Sequence, residues 1–599
     1  MSEKKKPTIT EIGNNIDAAL GRTKADIVIK NVNLLDTVTG ETAITDIAIV
    51  GNKIVGTYET DFYEGIKEID GTGLTAVAGF IDTHVHVESS LITPSEFDRC
   101  VLPKGTTTAI CDPHEISNVM GEEGLQYFID SSEATAMDLF VQLSSCVPAT
   151  NLETSGGSLD AKALLKFKDH TNVIGLAEFM NIGGVLGKDP DVLEKLAAFA
   201  DGHIDGHNPG ILGPALNAMA SCGVRNCHES TSAAEAREKL HKGLHVFLRE
   251  GTAAKNIDAL HSELNPFTSP FISICTDDRN PLDIAEEGHL DHIIRKLIAH
   301  GHKPAEVYRA ASWSAAQQFG LHMDTPKWNK RGLIAPGWQA DIVLLSDVDK
   351  CEIHSVIKDG AIVDDTTFEN LPHVDPVGLD SIHVGTITSD DFVIKGQSGE
   401  VDVIGVEAGS IVTKHLKLEM KANKDGIIEN DFGQDLLKLA VIERHGVNGN
   451  MAKAFVNGFG IKEGAIATSI GHDSHNITVV GASDEDMAVA VNRLKELKGG
   501  MVVVKDGVVE GEIALEIAGL MARDKSYEDV KVELEALREA ATHLNSSIHE
   551  PFMLLAFLPL CVIPSLKLTD FGLVRFDPAG GDEGPVLIQD QRKSAPQPK

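Results

Sequence analysis

The sequence predicts an α/β protein: a (β/α)8 barrel, a small β-sandwich unit drawn from both barrel flanks, and a mixed α/β region at the C-terminus. Three observations predict it. Between residues 76 and 330, apolar strand-like runs alternate with helical stretches at close to the ~30-residue interval of a βα unit. Two β-rich patches, in 26–75 and 331–385, bracket that middle. From 386 to 592 the pattern mixes both periodicities. A chain of 599 residues has room for these units.

Residues 1–25 are an N-terminal extension. They open Met-Ser-Glu-Lys-Lys-Lys-Pro-Thr, basic but with no apolar stretch behind, so no secretory signal is expected. The first β patch holds the runs Asp26–Asn31, Thr45–Val50 and Lys53–Glu59, broken by turn signals such as Gly51-Asn52. The second holds Gly332–Ser346 and Ser355–Asp364, with a Lys358-Asp359-Gly360 turn. One β unit made from both flanks explains the pair; two unrelated hairpins would give the same pattern.

In the middle, candidate strands end near His84, Cys111, Cys146, Glu178, His207, His228, Glu250 and Asp277. The connections Asp160–Asp169, Asp191–Ala200 and Ser232–Lys242 carry Leu, Ala, Lys and Glu at helical spacing. Val307–Phe319 closes the set, with Pro304 near the first helical turn. Further on, Asp484–Lys498 places Met487, Val491, Leu494 and Leu497 on one stripe. Lys505-Asp506-Gly507 signals a hairpin. The stretch 593–599 has the composition of a disordered tail.

Composition narrows the function. Lys and Arg number 53 against 89 Asp and Glu, a net charge of −36 that repels phosphate backbones and anionic membranes. No nucleic-acid or membrane partner is expected, and a neutral or cationic small molecule is. Eight cysteines without a CxxC pair read as reduced thiols of a cytoplasmic protein. No window reaches the roughly 18 apolar residues of a membrane span; the most apolar late segment, Phe552 to Ile563, is too short.

His84 and His86 lie two apart in a strand, so both imidazoles leave one face, a spacing suited to a metal ion. Alone, the pair fits two core histidines equally well. Barrel enzymes place chemistry at the C-terminal ends of their strands. Those ends supply His84, His86, Glu178, His207, His228 and Asp277, the last followed by Asp278. Four imidazoles and two carboxylates exceed the needs of one ion. Two ions roughly 3.5–4 Å apart, sharing a carboxylate, use all six. His207 could be a turn histidine and His228 a core one, but a carboxylate ending an apolar strand is rarely buried without a partner, which weighs for Glu178 and Asp277.

The motif Gly79-Phe80-Ile81-Asp82-Thr83-His84-Val85-His86 and the phrase Ile334-Ala335-Pro336-Gly337 resemble the amidohydrolase superfamily. Val87-Glu88-Ser89-Ser90, Asp112-Pro113-His114-Glu115-Ile116, Cys275-Thr276-Asp277-Asp278-Arg279-Asn280-Pro281 and Gly471-His472-Asp473-Ser474-His475-Asn476 narrow the resemblance to bacterial adenine deaminases. Many superfamily members bridge their metals with a carbamylated lysine at the fourth strand. Glu178 stands there instead and supplies a bidentate carboxylate. Gly471 departs from the alanine expected before His-Asp-Ser-His.

The resemblance implies hydrolysis of adenine to hypoxanthine and ammonia in purine salvage, with two divalent ions, manganese or iron. A bridging hydroxide would attack C6. Asp277 would be ligand and general base, and His228 would polarise or protonate the ring. Glu88, Glu115 and Asp278 would bind the purine edge or orient histidine N–H groups. A homo-oligomer, with a dimer favoured, is expected. His472 and His475 either close over the pocket or form a local turn held by Asp473 and Ser474. The alternatives are another amidohydrolase, acting on a different nucleobase or cyclic amide, and a non-catalytic barrel protein.

Overall fold

Eight short runs rich in Val, Ile, Leu and Phe form parallel strands buried on both faces, the environment such continuous apolar runs require. They are Phe80–Val85, Thr106–Cys111, Asp138–Leu143, Val173–Phe179, His203–Gly206, Asn226–Cys227, His245–Arg249 and Ile272–Cys275. The structure is a computed structural model and describes residues 6–252, 254–546, 548–577 and 584–593. The first five strands pair in sequence order in one sheet and the last three in another.

Hydrogen bonds join the two sheets at both edges. Arg225 N donates to Ile204 O at 3.1 Å between the fifth and sixth strands. At the other edge Asp277 N donates to His84 O at 3.0 Å, and His86 N to Asp277 O at 3.2 Å. The parallel sheet therefore curls until its last strand returns to its first. Gly206 permits one close approach: a Cβ there would lie 2.4 Å from Asn226 O.

The expected strand ends hold to within a few residues, and the third differs most. It stops at Leu143 rather than near Cys146. Ser144 and Ser145 have turned their hydroxyls to other partners, Asp112 Oδ1 at 3.2 Å and Glu178 O at 2.5 Å. The connecting helices form where expected, with Asp160, Asp189 and Ser232 capping their first turns. Val307–Phe319 is two helices, Pro304–Ala311 and Trp313–Gln318. The break falls at Ser312, whose hydroxyl bonds back to Tyr308 O at 2.6 Å.

The two β patches meet in one sheet. Thr75–Ala78 pairs in parallel with Ala25–Leu35 and antiparallel with Ile342–Asp347, so the expected sandwich is continuous by hydrogen bonding across eight strands. Because Thr75–Ala78 belongs to it, the sheet runs past the expected limit at residue 75. The N-terminal extension contains a capped helix, Ile9–Ala19.

Downstream, a second eight-stranded sheet runs from Lys414–Met420 to Val508–Ala514. The helix Asp484–Leu497 packs Met487, Val491 and Leu494 into its core, and Lys505 and Val508 pair across the expected hairpin. A three-stranded sheet, Ser565–Thr569, Gly572–Phe576 and Val586–Asp590, follows. The tail expected at 593–599 lies, but for Lys593, outside the described residues.

Candidate active site

All six sequence-derived ligand candidates converge, buried, at the C-terminal ends of the parallel strands. His84 is on the first strand and His86 just beyond it. Glu178 is on the fourth strand; His207 and His228 directly follow the fifth and sixth. Asp277 lies past the eighth, where its backbone takes φ +58°, a left-handed conformation that Asp tolerates better than most residues. The two backbone hydrogen bonds to the first strand hold it there.

Glu178 stands at the centre. Its Oε1 is 3.4 Å from His86 Nε2 and 3.8 Å from His84 Nε2. Its Oε2 is 2.7 Å from His207 Nδ1 and 3.2 Å from His228 Nε2. On the first side Asp277 Oδ1 lies 3.1 Å from His86 Nε2 and 3.4 Å from His84 Nε2, and those two imidazole nitrogens are 3.1 Å apart. One carboxylate thus faces two separate histidine groups, one with each oxygen.

Burial and neighbouring charges together set the ionisation of each group. Burial pushes the Glu178 carboxyl up, but the His207 and His228 imidazoles outweigh it and hold it far below the usual range. Burial likewise opposes ionisation of Asp277, and the Arg249 guanidinium, 2.7 Å from Oδ2, keeps it anionic. Burial depresses His84, yet the nearby Asp205 and Asp277 carboxylates raise it to about 10. His228 is lowered, by burial first and then by His84. Glu88 is pushed up to about 8 by burial and the neighbouring Glu115 carboxylate. Burial and Asp277 raise Asp278.

The donor set suits divalent transition-metal ions: borderline imidazoles with hard carboxylates, buried and packed within ligand reach. His207 Nε2 is buried with no hydrogen-bond partner, and the Arg249 guanidinium of the same site is taken by Asp277 and Glu229. Residues and ions fit.

The three substrate candidates part company. Glu115 and Asp278 line the small cavity above the cluster, whereas Glu88 lies behind it, accepting from Ile116 N at 3.1 Å. His472 and His475 reach over from the C-terminal region, and both bond the Glu115 carboxylate, His472 Nδ1 at 2.6 Å. Of the two roles open to them in the sequence, His472 takes a place in the cavity lining, while His475 N donates to Gly471 O at 2.6 Å within the local turn.

Sequence reasoning missed His114, Asp112, Glu229, Arg249 and Asp205 as site residues. His114 Nδ1 lies 2.9 Å from Asp112 Oδ2 and 3.5 Å from Glu178 Oε1. Asp205 Oδ2 is 3.4 Å from His84 Nδ1. A signal existed for Arg249: a charged side chain closing the apolar run His245–Arg249 must find carboxylates, and it finds two.

An amidohydrolase family model matches residues 75–363, and a model of the adenine deaminase C-terminal domain matches residues 410–579. Adenine deaminase 1 of Rhizobium meliloti is 54% identical over 564 residues, 94% of this chain and 98% of that protein. Adenine deaminase 1 of Agrobacterium fabrum is 53% identical over 574 residues, 96% of this chain and 98% of that protein. With relatives this similar across nearly its whole length, the chain belongs to the adenine deaminase family of amidohydrolases.

Proposed function

We propose that this protein hydrolyses adenine to hypoxanthine and ammonia, with His84, His86, Glu178, His207, His228 and Asp277 holding two divalent ions, manganese or iron. The observation that carries the reading is Glu178, whose two oxygens face two histidine groups. When bound, the ions supply the Lewis-acid charge that makes water a usable nucleophile near neutral pH.

Asp277 is the base. Held as an anion by Arg249, it takes a proton from the water that attacks C6 and delivers one to the departing amine. Water and adenine then leave as hypoxanthine and ammonia, and Asp277 returns to its starting state. His228, depressed by burial and so neutral near pH 7, supports the developing charge on the ring. Asp278, raised by burial, lines the cavity within reach of the base's ring edge and accepts from the Ser89 hydroxyl. Glu115, tied to His472 and His475, is fixed as an acceptor for an N–H of the base. Glu88 accepts from Ile116 N and so steadies the helix that carries Glu115.

The curled sheet is read as a closed (β/α)8 barrel, with 26–75 plus 331–385 as the small β domain and 386–592 as the C-terminal domain. The homo-oligomer, a dimer favoured, and the cytoplasmic location are part of the same proposal. Eight free cysteines support that location, and among the described residues no helix is long and apolar enough to cross a membrane. Light scattering of the purified chain reads the oligomer directly. For the reaction, ammonia release is followed with adenine, guanine, cytosine and cyclic amides. Adenine is expected to dominate; turnover of a cyclic amide with none of adenine overturns the reading.

A further inference from the structure

The cavity above the ligand cluster has a volume of about 30 Å³. A water needs roughly 10–15 Å³ on that measure, so there is room for one or two waters and not for a two-ring base. Its floor is polar. Its roof is not: Ile411, Phe557, Leu560 and Ile563 close it, all from the C-terminal region. Phe557 lies flat on the His472 imidazole, with centroids 4.4 Å apart and planes 10° from parallel. Beside the roof lies a larger cavity of about 570 Å³, which shares Met180 and His207 with the site and is bounded by Val562. A base can therefore reach the cluster only if part of the cavity's lining moves.

The roof comes from two chain segments, and one side chain ties both. Lys567, fully buried, donates from Nζ to Ile411 O at 2.8 Å and to Phe557 O at 3.0 Å. It makes no ion pair among the described residues. A buried amine without a carboxylate is costly, and an apolar side chain would fill the same space at less cost. The position instead keeps an amine and directs it at two roof carbonyls. Burial lowers it to about 7, which leaves it a donor whether charged or neutral.

We propose that Lys567 is a positioning residue: it pins Ile411 and Phe557 into an apolar roof that closes on the flat face of the base and opens toward the 570 Å³ cavity for exchange. The identity of that base rests on the adenine reading above; the pinning does not. The test is K567M, which keeps the length and removes the donor, with K567R restoring one. Hydrogen exchange is measured on the metal-loaded full chain, alongside kinetics on adenine.

In K567M, exchange of amides in 409–413 and 552–563 is expected to rise about tenfold with little change in Tm. KM for adenine should rise about tenfold and kcat by no more than about threefold either way, with K567R between K567M and wild type. Exchange and KM equal to wild type overturn the proposal, as does loss of kcat at unchanged KM. If wild type leaves adenine untouched while exchange still rises, the pinning stands and the adenine reading falls. Should K567M not fold, F557L, which keeps the bond to the 557 carbonyl but removes the stacking ring, is expected to raise KM; an unchanged KM overturns the roof.

Discussion

Glu178 answers to two sets of partners at once, and substitutions there separate metal binding from chemistry. In Glu178→Gln one oxygen becomes an NH₂ donor that must face a histidine group built around an acceptor. Metal content is expected to fall by about one ion per chain, and turnover with it. Asp277→Asn keeps an oxygen for His84 and His86 but cannot take a proton. It should retain most of its metal and lose about 10²–10⁴ in kcat. Elemental analysis and ammonia release on the same preparations check both, and two variants with normal metal and near-normal deamination would sink the site assignment. His84, His86, Glu178 and Asp277 were legible because each closes an apolar strand with a group that cannot be buried idle. His114 and Glu229 were not, since each acquires its role from side chains brought alongside by other strands.

Lys567 adds a pH dependence whose sign can be worked out. Its folded pKa of about 7 lies below the ordinary 10.5, and Cys561 is the titratable neighbour acting on it. Between those values the unfolded chain holds a proton that the folded chain does not. Stability should therefore rise with pH from about 7 to about 10. K567M is expected to flatten that part of the profile, measured by denaturant unfolding at several pH values; an unchanged slope would place its origin elsewhere.

At the scale of elements, the site depends on where strands stop. The fifth, sixth and seventh strands end one residue before His207, His228 and Glu250, so those side chains leave the sheet where its backbone ladder has finished. Periodicity located these ends because all eight strands are buried on both faces and read as continuous apolar runs. It failed by three residues at Cys146, where two serines leave the ladder for Asp112 and Glu178, partners distant in sequence. It also missed the break at Ser312, since a hydroxyl bonded back to its own helix leaves the apolar spacing on either side intact. Glu88 shows the same limit: beside the metal motif it reads as substrate-binding, and nothing in the sequence signals that its Oε1 accepts from Ile116 N, on the helix that carries Glu115.

For the molecule as a whole, the C-terminal region is part of the site rather than an appendage. Val85 and Leu176 from the parallel strands share one continuous apolar core with Ile517, Met521 and Phe552. His472, Asp473 and Phe557 line the cavity itself. A chain ending at residue 385 is expected to be insoluble or to lack deaminase activity, because it bares that core and loses the roof; a soluble, fully active truncation, assayed by light scattering and ammonia release, would contradict this. Little of it was legible beforehand. Composition announced a mixed α/β region, and only the His472-Asp473-Ser474-His475 phrase hinted that it touches the chemistry.

The central claim is that two ions held around Glu178 equip this chain to deaminate adenine. Metal-free protein titrated with manganese or ferrous iron, with bound metal, ammonia and hypoxanthine measured at each step, tests it most directly. Activity is expected to climb to a plateau at about two ions per chain, with ammonia and hypoxanthine released in equal amounts. Two bound ions with no ammonia from adenine, or full activity with none bound, would contradict it.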